Sequence, residues 1–393
     1  MSPRVASHRS RVLLAVTATL ALTAAACSTS QQSAGTSGSS NKDCSAQSQA
    51  QQQFTQSWDN AFQKAGLKAP APPDQSICSA DTTKWKKPAK NGGYRIAFAA
   101  QGPTNSWAVE NEEAFKLRAQ QLGVQELYAS AGGDATKQVN NIQQLTAQSP
   151  DAMVVVPMGA GILGQIKQAE SQGIPVVVCA GKLDNAGAVS TVVRSYDLQA
   201  TLWADWIAKQ TGGTGKIAML SGIAGVPTAE LQKAAAEKAF QKYPGIQIVT
   251  KQYTDWSPTK AKTVAASLVA QYPNLDAIWS DSAISDLGVV EAYSQAGKKV
   301  PPLTGDSSNA FLKAAKGSDV NFLLSSFPPE QSEQCLNTAV DILKGTTVPS
   351  FVNVQSAVYT NAELDKYVRP GCSDNLWVPS SLPDNVLKQL QLC

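Results

Sequence analysis

The chain has 393 residues, 43% of them apolar and 16% charged, enough to fill cores in two or three domains and too apolar for a disordered chain. Arg4, Arg9 and Arg11 supply the whole formal charge of +3, and from residue 27 onward 30 basic side chains face 30 acidic ones, so net charge points to no nucleic-acid partner. The single histidine, His8, lies in the same N-terminal stretch, which excludes histidine-dependent nucleophilic catalysis, histidine-ligated zinc and a histidine pH switch from the remainder.

Residues 1–26 open with a basic stretch and run into the apolar segment Val12–Ala26. This is the pattern of an export signal, and about 15 apolar residues are too few for a comfortable membrane span. The segment ends Leu22-Thr23-Ala24-Ala25-Ala26-Cys27. Small residues followed by cysteine resemble a bacterial lipobox, here with Ala24 where Leu is usual. By that resemblance Cys27 becomes an acylated N-terminus that anchors the protein to the outer face of the cytoplasmic membrane. Residues 27–43 read as a polar, flexible tether. Residues 44–90 form an extension with one predicted helix, Gln49–Ala65, whose Phe54, Trp58 and Phe62 fall on one face.

Without Cys27 six cysteines remain, an even number that favours disulfides in an exported protein, in one of many connectivities. Proximity favours Cys44 with Cys78 and Cys372 with Cys393, leaving Cys179 for Cys335. No CxxC spacing occurs, so no thiolate metal site is expected.

From Tyr94 short apolar runs alternate with helical ones. The predicted strands are Arg95–Ala99, Glu126–Ala129, Ala152–Val156, Val176–Cys179, Lys216–Leu220, Ile246–Lys251, Ala277–Ser280, Val300–Thr304 and Asn321–Ser325. The predicted helices are Ser106–Leu122, Thr136–Gln148, Gly161–Ser171, Leu198–Lys209, Thr228–Lys242, Pro258–Ala270, Ile284–Ala296 and Glu330–Leu343. MVVVP and PVVVC are apolar throughout, as strands buried on both faces are. The alternation specifies an α/β fold with parallel sheets flanked by helices, in two similar lobes.

The order of details resembles the type I periplasmic binding proteins of the ribose-binding kind, solute receptors of sugar ABC importers. The resemblance rests on RIAFAAQGPTNSWAVENEEAF, SPDAMVVVPM followed by QGIPVVV, GKIAMLSGIAG, LDAIWSDSAISDLGVVEAYSQAGK, TGDSS and SSFPPEQSEQCLNTAVDILKG. It implies two doubly wound parallel-sheet lobes that close over a ligand by a hinge crossing near Arg194–Tyr196, Ser325–Phe327 and Val352–Ala357. Lobe 1 is then residues 94–194, completed by about 327–355, lobe 2 is 195–326, and 356–393 is a C-terminal segment. Cys335 would start a helix that returns to the lobe of Cys179.

Ligands of open α/β sheets sit beyond the carboxyl ends of strands. The candidates there are Gln101, Asn105 and Trp107 after the first strand, Glu230, Trp256, Asp281, Ser282 and Asp306 in the second lobe, and Ser326 at a hinge strand. Trp107 and Trp256 would stack on ring faces, and the carboxylates would accept sugar hydroxyls. The resemblance also marks departures. The ribose-binding pattern carries Asp-Arg where Ala180-Gly181 stands, and arginines where Glu230 and Gln232 stand. The guanidinium forks are missing there, and the cleft is poor in cations unless Lys182 turns inward.

Gly159-Ala160-Gly161-Ile162-Leu163-Gly164 matches the GxGxxG of dinucleotide sites, with Asp184 beyond it. Two residues separate it from its strand, which weakens the match. The sequence therefore reads as a monomeric lipid-anchored solute-binding protein without catalysis or cofactor. It would hand a neutral or cationic, carbohydrate-like ligand to an ABC permease. The alternatives are a ligand-presenting sensory component and an exported NAD-dependent oxidoreductase.

Overall fold

The computed structural model describes residues 42–45, 48–72, 77–90 and 92–393; the expected export signal, Cys27 and most of the expected tether lie outside them. The first elements are β1 (Lys42–Asp43), α1 (Gln49–Lys64) and β2 (Ser79–Ala80). A first lobe follows: β3 (Arg95–Ala100), α2 (Ser106–Leu122), β4 (Gln125–Ser130), α3 (Ala135–Ala147), β5 (Ala152–Val155), α4 (Leu163–Ser171), β6 (Val176–Cys179) and β7 (Ser190–Val193). The second lobe comprises α5 (Tyr196–Thr211), β8 (Thr214–Ser221), α6 (Pro227–Phe240), β9 (Gly245–Tyr253), α7 (Pro258–Gln271), β10 (Ala277–Ser280), α8 (Ala283–Gln295), β11 (Leu303–Gly305), α9 (Asn309–Ala315) and β12 (Phe322–Ser325). The chain ends with α10 (Gln331–Lys344), β13 (Val348–Pro349), β14 (Phe351–Asn353), β15 (Val358–Thr360), α11 (Leu364–Tyr367) and α12 (Asp384–Gln389).

Two six-stranded sheets carry the fold, in the orders β14-β7-β6-β5-β3-β4 and β15-β12-β11-β10-β8-β9. Every pairing in them is parallel except β12 with β15. β5, β6 and β10 are buried at every residue, which is why they read as unbroken apolar runs. Helices begin where the sequence supplies caps: Asn105, Asp134, Ser195, Ser257 and Ser308 each accept a backbone N–H of the following turn. Phe98 and Phe115, both fully buried, stack at 4.0 Å and seat α2 on the first sheet. Burying one such ring stabilises by roughly 1.5–3 kcal/mol.

The chain passes between the sheets three times: from β7 to α5, from β12 to α10, and from β14 to β15. The N-terminal extension is not a separate body. Phe54, Trp58 and Phe62 of α1 share a core cluster with Trp203 and Trp206 of α5, and Trp58 donates to the Pro70 carbonyl at 2.9 Å. Farther along, Ala80 and Trp85 join the first lobe's core, and β2 pairs with both β1 and β13. Disulfides join Cys44 to Cys78, Cys179 to Cys335 and Cys372 to Cys393, the pairing expected from the sequence.

Candidate functional site

In the first lobe strand order reverses between β3 and β5, and in the second between β8 and β10. Ligands of doubly wound sheets bind beyond the strand ends at such points. The loops after these four strands, with the neighbouring strand ends of β7, β9, β11 and β12, therefore define the candidate site.

Trp107 is buried in the first turn of α2. Its indole stacks on Phe327 at 5.4 Å, nearly parallel, and its Nε1–H donates to the Phe327 carbonyl at 3.0 Å. The aromatic is thus fixed by the β12–α10 crossing. Asn105 is exposed and spends its Oδ1 on the Ala108 N–H at 2.9 Å, capping α2. Gln101, half-buried after β3, accepts the Gly133 N–H through its carbonyl.

Across the cleft Asp281 is 2% exposed. Its Oδ2 accepts the Gly222 N–H at 2.9 Å and its Oδ1 the Trp256 Nε1–H at 3.2 Å. Trp256 has φ 52 and its neighbour Asp255 φ 54, two consecutive left-handed residues with side chains, a strained arrangement of the kind that collects at binding sites. The indole covers Gly222 so closely that an added Cβ there would lie 2.0 Å from it. Asp306 accepts the Ala283 N–H at 2.7 Å and so caps α8 from the neighbouring strand end. Ser282 is buried at that same helix start, its N–H directed to Ser280 Oγ. Ser326 bonds through Oγ to the Ala357 N–H at 2.8 Å, linking two of the crossings. Glu230 is committed elsewhere. It accepts from Gly225 N, Tyr253 Oη and Lys233 Nζ, and Lys233 first, then these other bonds, pull its carboxyl down to about 2.

One site residue escaped the sequence reading. Arg194, 2% exposed between β7 and α5, donates from Nη1 to the Ser325 and Ser326 carbonyls and from Nη2 to Gln232 Oε1. Its guanidinium also lies over the Phe327 ring at 4.9 Å. Nε–H has no partner among the described residues. Lys182, by contrast, is 40% exposed beside Asp184. The expectation of a cation-poor cleft is therefore amended: the cation comes from the hinge segment. The signal was present, a lone charge at the carboxyl end of the apolar strand STVV, but the residue was read as hinge alone. Beside Arg194 a cavity of about 220 Å³ opens between the Val193–Asp197 segment, α6 and Phe351.

Burial sets the electrostatics. It pushes Asp306 up to about 7 against the opposing pull of the Ala283 N–H and Arg194. It pushes Asp281 up to about 7 as well, with the Asp306 charge adding to the shift. Arg194 is drawn down to about 10 by the same desolvation, opposed by Asp306. Asp281, Asp306 and Arg194 thus form one electrostatically coupled group of buried charges at strand carboxyl ends, the acceptor and donor types that bind hydroxyl groups; neither the two acids nor the two indoles line the cavity beside Arg194.

The sequence profile of the periplasmic binding protein domain matches residues 96–347. The chain belongs to this family. Ribose import binding protein RbsB of Bacillus subtilis is 26% identical to this binding protein over 284 residues, covering 71% of this chain and 92% of that one. A xylitol-binding protein of Mycolicibacterium smegmatis is 25% identical over 218 residues, 55% of this chain and 62% of that one. A solute-binding protein of Mycobacterium smegmatis, solved with bound glycerol, superposes with a TM-score of 0.64 at 25% identity over 72% of this chain and 99% of that one. Membership of the family implies an exported protein. Among the described residues no helix is long and apolar enough to cross a membrane.

The GxGxxG reading fails on geometry. Gly159 is extended, with φ 169, none of Gly159, Gly161 and Gly164 is left-handed, and a Cβ on any of them would meet nothing within 4 Å. The dinucleotide fingerprint needs its glycines for a tight turn and close backbone approach; here neither is required, and the segment is an ordinary helix start.

Proposed function

We propose that this binding protein captures a small polyhydroxylated ligand, a sugar or polyol, between its two lobes and delivers it to an ABC permease, held at the membrane by lipid on Cys27. The observation that carries the reading is the Trp256–Asp281–Gly222 unit facing Asp306 and Arg194 at the strand ends of a periplasmic binding protein fold. The ligand is neutral or cationic, because an anion would meet Asp281 and Asp306 while most of the Arg194 donors are already spent on backbone carbonyls and Gln232. The relatives named for ribose and xylitol and the neighbour holding glycerol support a polyhydroxylated ligand.

The test is a thermal-shift screen of sugars, polyols, sugar acids and sugar phosphates, followed by calorimetry. A ligand that binds only the native state raises Tm. Micromolar binding of a neutral sugar or polyol is expected. A preference for sugar acids or phosphates would overturn the charge assignment. Detergent-phase partitioning that is lost in Cys27→Ala tests the anchor.

A further inference from the structure

The C-terminal segment after residue 360 bridges the two lobes beside the candidate site. Its hold on the second lobe centres on Asn309, which is fully buried at the start of α9. Asn309 Nδ2 donates to the Arg369 and Ser373 carbonyls, each at 2.9 Å, and its Oδ1 accepts the Arg369 N–H at 2.9 Å. The Asn309 and Ala310 N–H groups bond to the Leu376 and Asp374 carbonyls, and Leu376, Val378 and Leu387 join the second lobe's core.

The same segment is bonded to the first lobe. The Trp377 N–H donates to Glu110 Oε1 at 3.1 Å and its indole Nε1–H to Ser106 Oγ at 3.1 Å. Ser106 stands between Asn105 and Trp107. Ser380 Oγ–H and the Ser381 N–H both donate to Glu330 Oε1 at the start of α10. Trp377 also bridges to Ser308, two residues past Asp306, while its indole lies in the first lobe's core cluster with Trp107. One residue therefore touches the ligand loops of both lobes.

We propose that the segment carrying Trp377 is a latch: it rides on the second lobe, pins the first lobe through Ser106, Glu110 and Glu330, and so opposes opening of the cleft. An opening that separates α2 from the β11–α9 loop breaks these four bonds and withdraws a buried indole. Trp377 is a positioning residue in this account. It acts on ligand exchange through lobe separation, and it holds Ser106, the neighbour of Trp107. The effect on exchange rests on the ligand-capture reading above, but the effect on opening does not.

The test measures opening without ligand. Spin labels are placed at Gly161, exposed in the 3-10 turn Ala160–Ile162 before α4, and at Ala224, exposed in the turn after β8 in the opposite lobe. A narrow distance distribution is expected for the parent. A longer and broader one is expected for Trp377→Ala and for the milder pair Ser106→Ala with Glu330→Ala, which leaves the core indole in place. Trp377→Phe, keeping the ring but not its N–H, should fall between. Distributions that match the parent in the Ser106/Glu330 variant and in folded Trp377→Ala overturn the latch. With a ligand in hand, the same variants should release it at least tenfold faster; unchanged release alongside a widened distribution would remove only the link to exchange. Absence of any ligand leaves the distance result standing on its own.

Discussion

At the scale of single residues, the Trp256 unit makes the sharpest demands. A Cβ at position 222 would lie 2.0 Å from the indole, so Gly222→Ala must displace Trp256 and break its bond to Asp281. Overpacking of this kind costs roughly 1–3 kcal/mol, and ligand affinity measured by calorimetry should fall at least about tenfold. Trp256→Ala should weaken binding by a similar factor, since ring stacking contributes on the order of 1 kcal/mol beyond area burial. Glu110 makes a different demand. Fully buried, it is pushed up to about 9 by desolvation, with Glu330 adding to the shift against the Trp377 N–H. A carboxyl whose pKa is raised on folding binds its proton more tightly in the native state, so its contribution is full at low pH and is lost as pH rises through about 9. Glu110→Gln should therefore leave the Tm nearly unchanged near pH 4 and remove the decline that the parent shows from about 4.5 up to about 9, as scanning calorimetry across that range will show.

Among the elements, the Cys179–Cys335 bridge joins β6 to α10 across 156 residues. Replacing both cysteines with serine should cost about 2–5 kcal/mol in urea unfolding, because a long loop of the unfolded chain is freed. A loss below about 1 kcal/mol would show that packing of α10 on β5 and β6 suffices. The elements differ in how legible they were. β5, β6 and β10 announced themselves because strands buried on both faces need unbroken apolar runs, whereas Asn105, read from the sequence as a ligand contact, caps α2. β7, β14, β15 and α9 are three to seven residues long, too short for a period to register, and are held by tertiary contacts. The site divides the same way. Asp281 and Asp306 stand out as acids just after apolar strands. The roles of Arg194 and Trp377 depend on partners 131 and 267 positions away, and no local pattern encodes such distances.

For the whole molecule, two buried acids determine how binding depends on pH. Asp281 and Asp306 are both buried, and desolvation raises each from 3.8 to about 7. Without ligand the folded protein holds their protons more tightly than the unfolded chain does, so their contribution to stability is full below about 3.8 and is lost as pH rises to about 7. A ligand that donates hydroxyls to these carboxylates favours the opposite state. Its binding releases protons, and its affinity must rise with pH up to about 7 and level off above. For one obligatory carboxylate, the loss below that point approaches about tenfold per pH unit. Calorimetry at pH 5.5 and pH 8 with the sugar or polyol returned by the screen should therefore find tighter binding at pH 8, with proton release visible as buffer-dependent heat. Equal affinity at both values would mean that the hydroxyls are held by groups other than these two aspartates. Tighter binding at pH 5.5 would mean that the aspartates act as protonated donors, which reverses their assigned role.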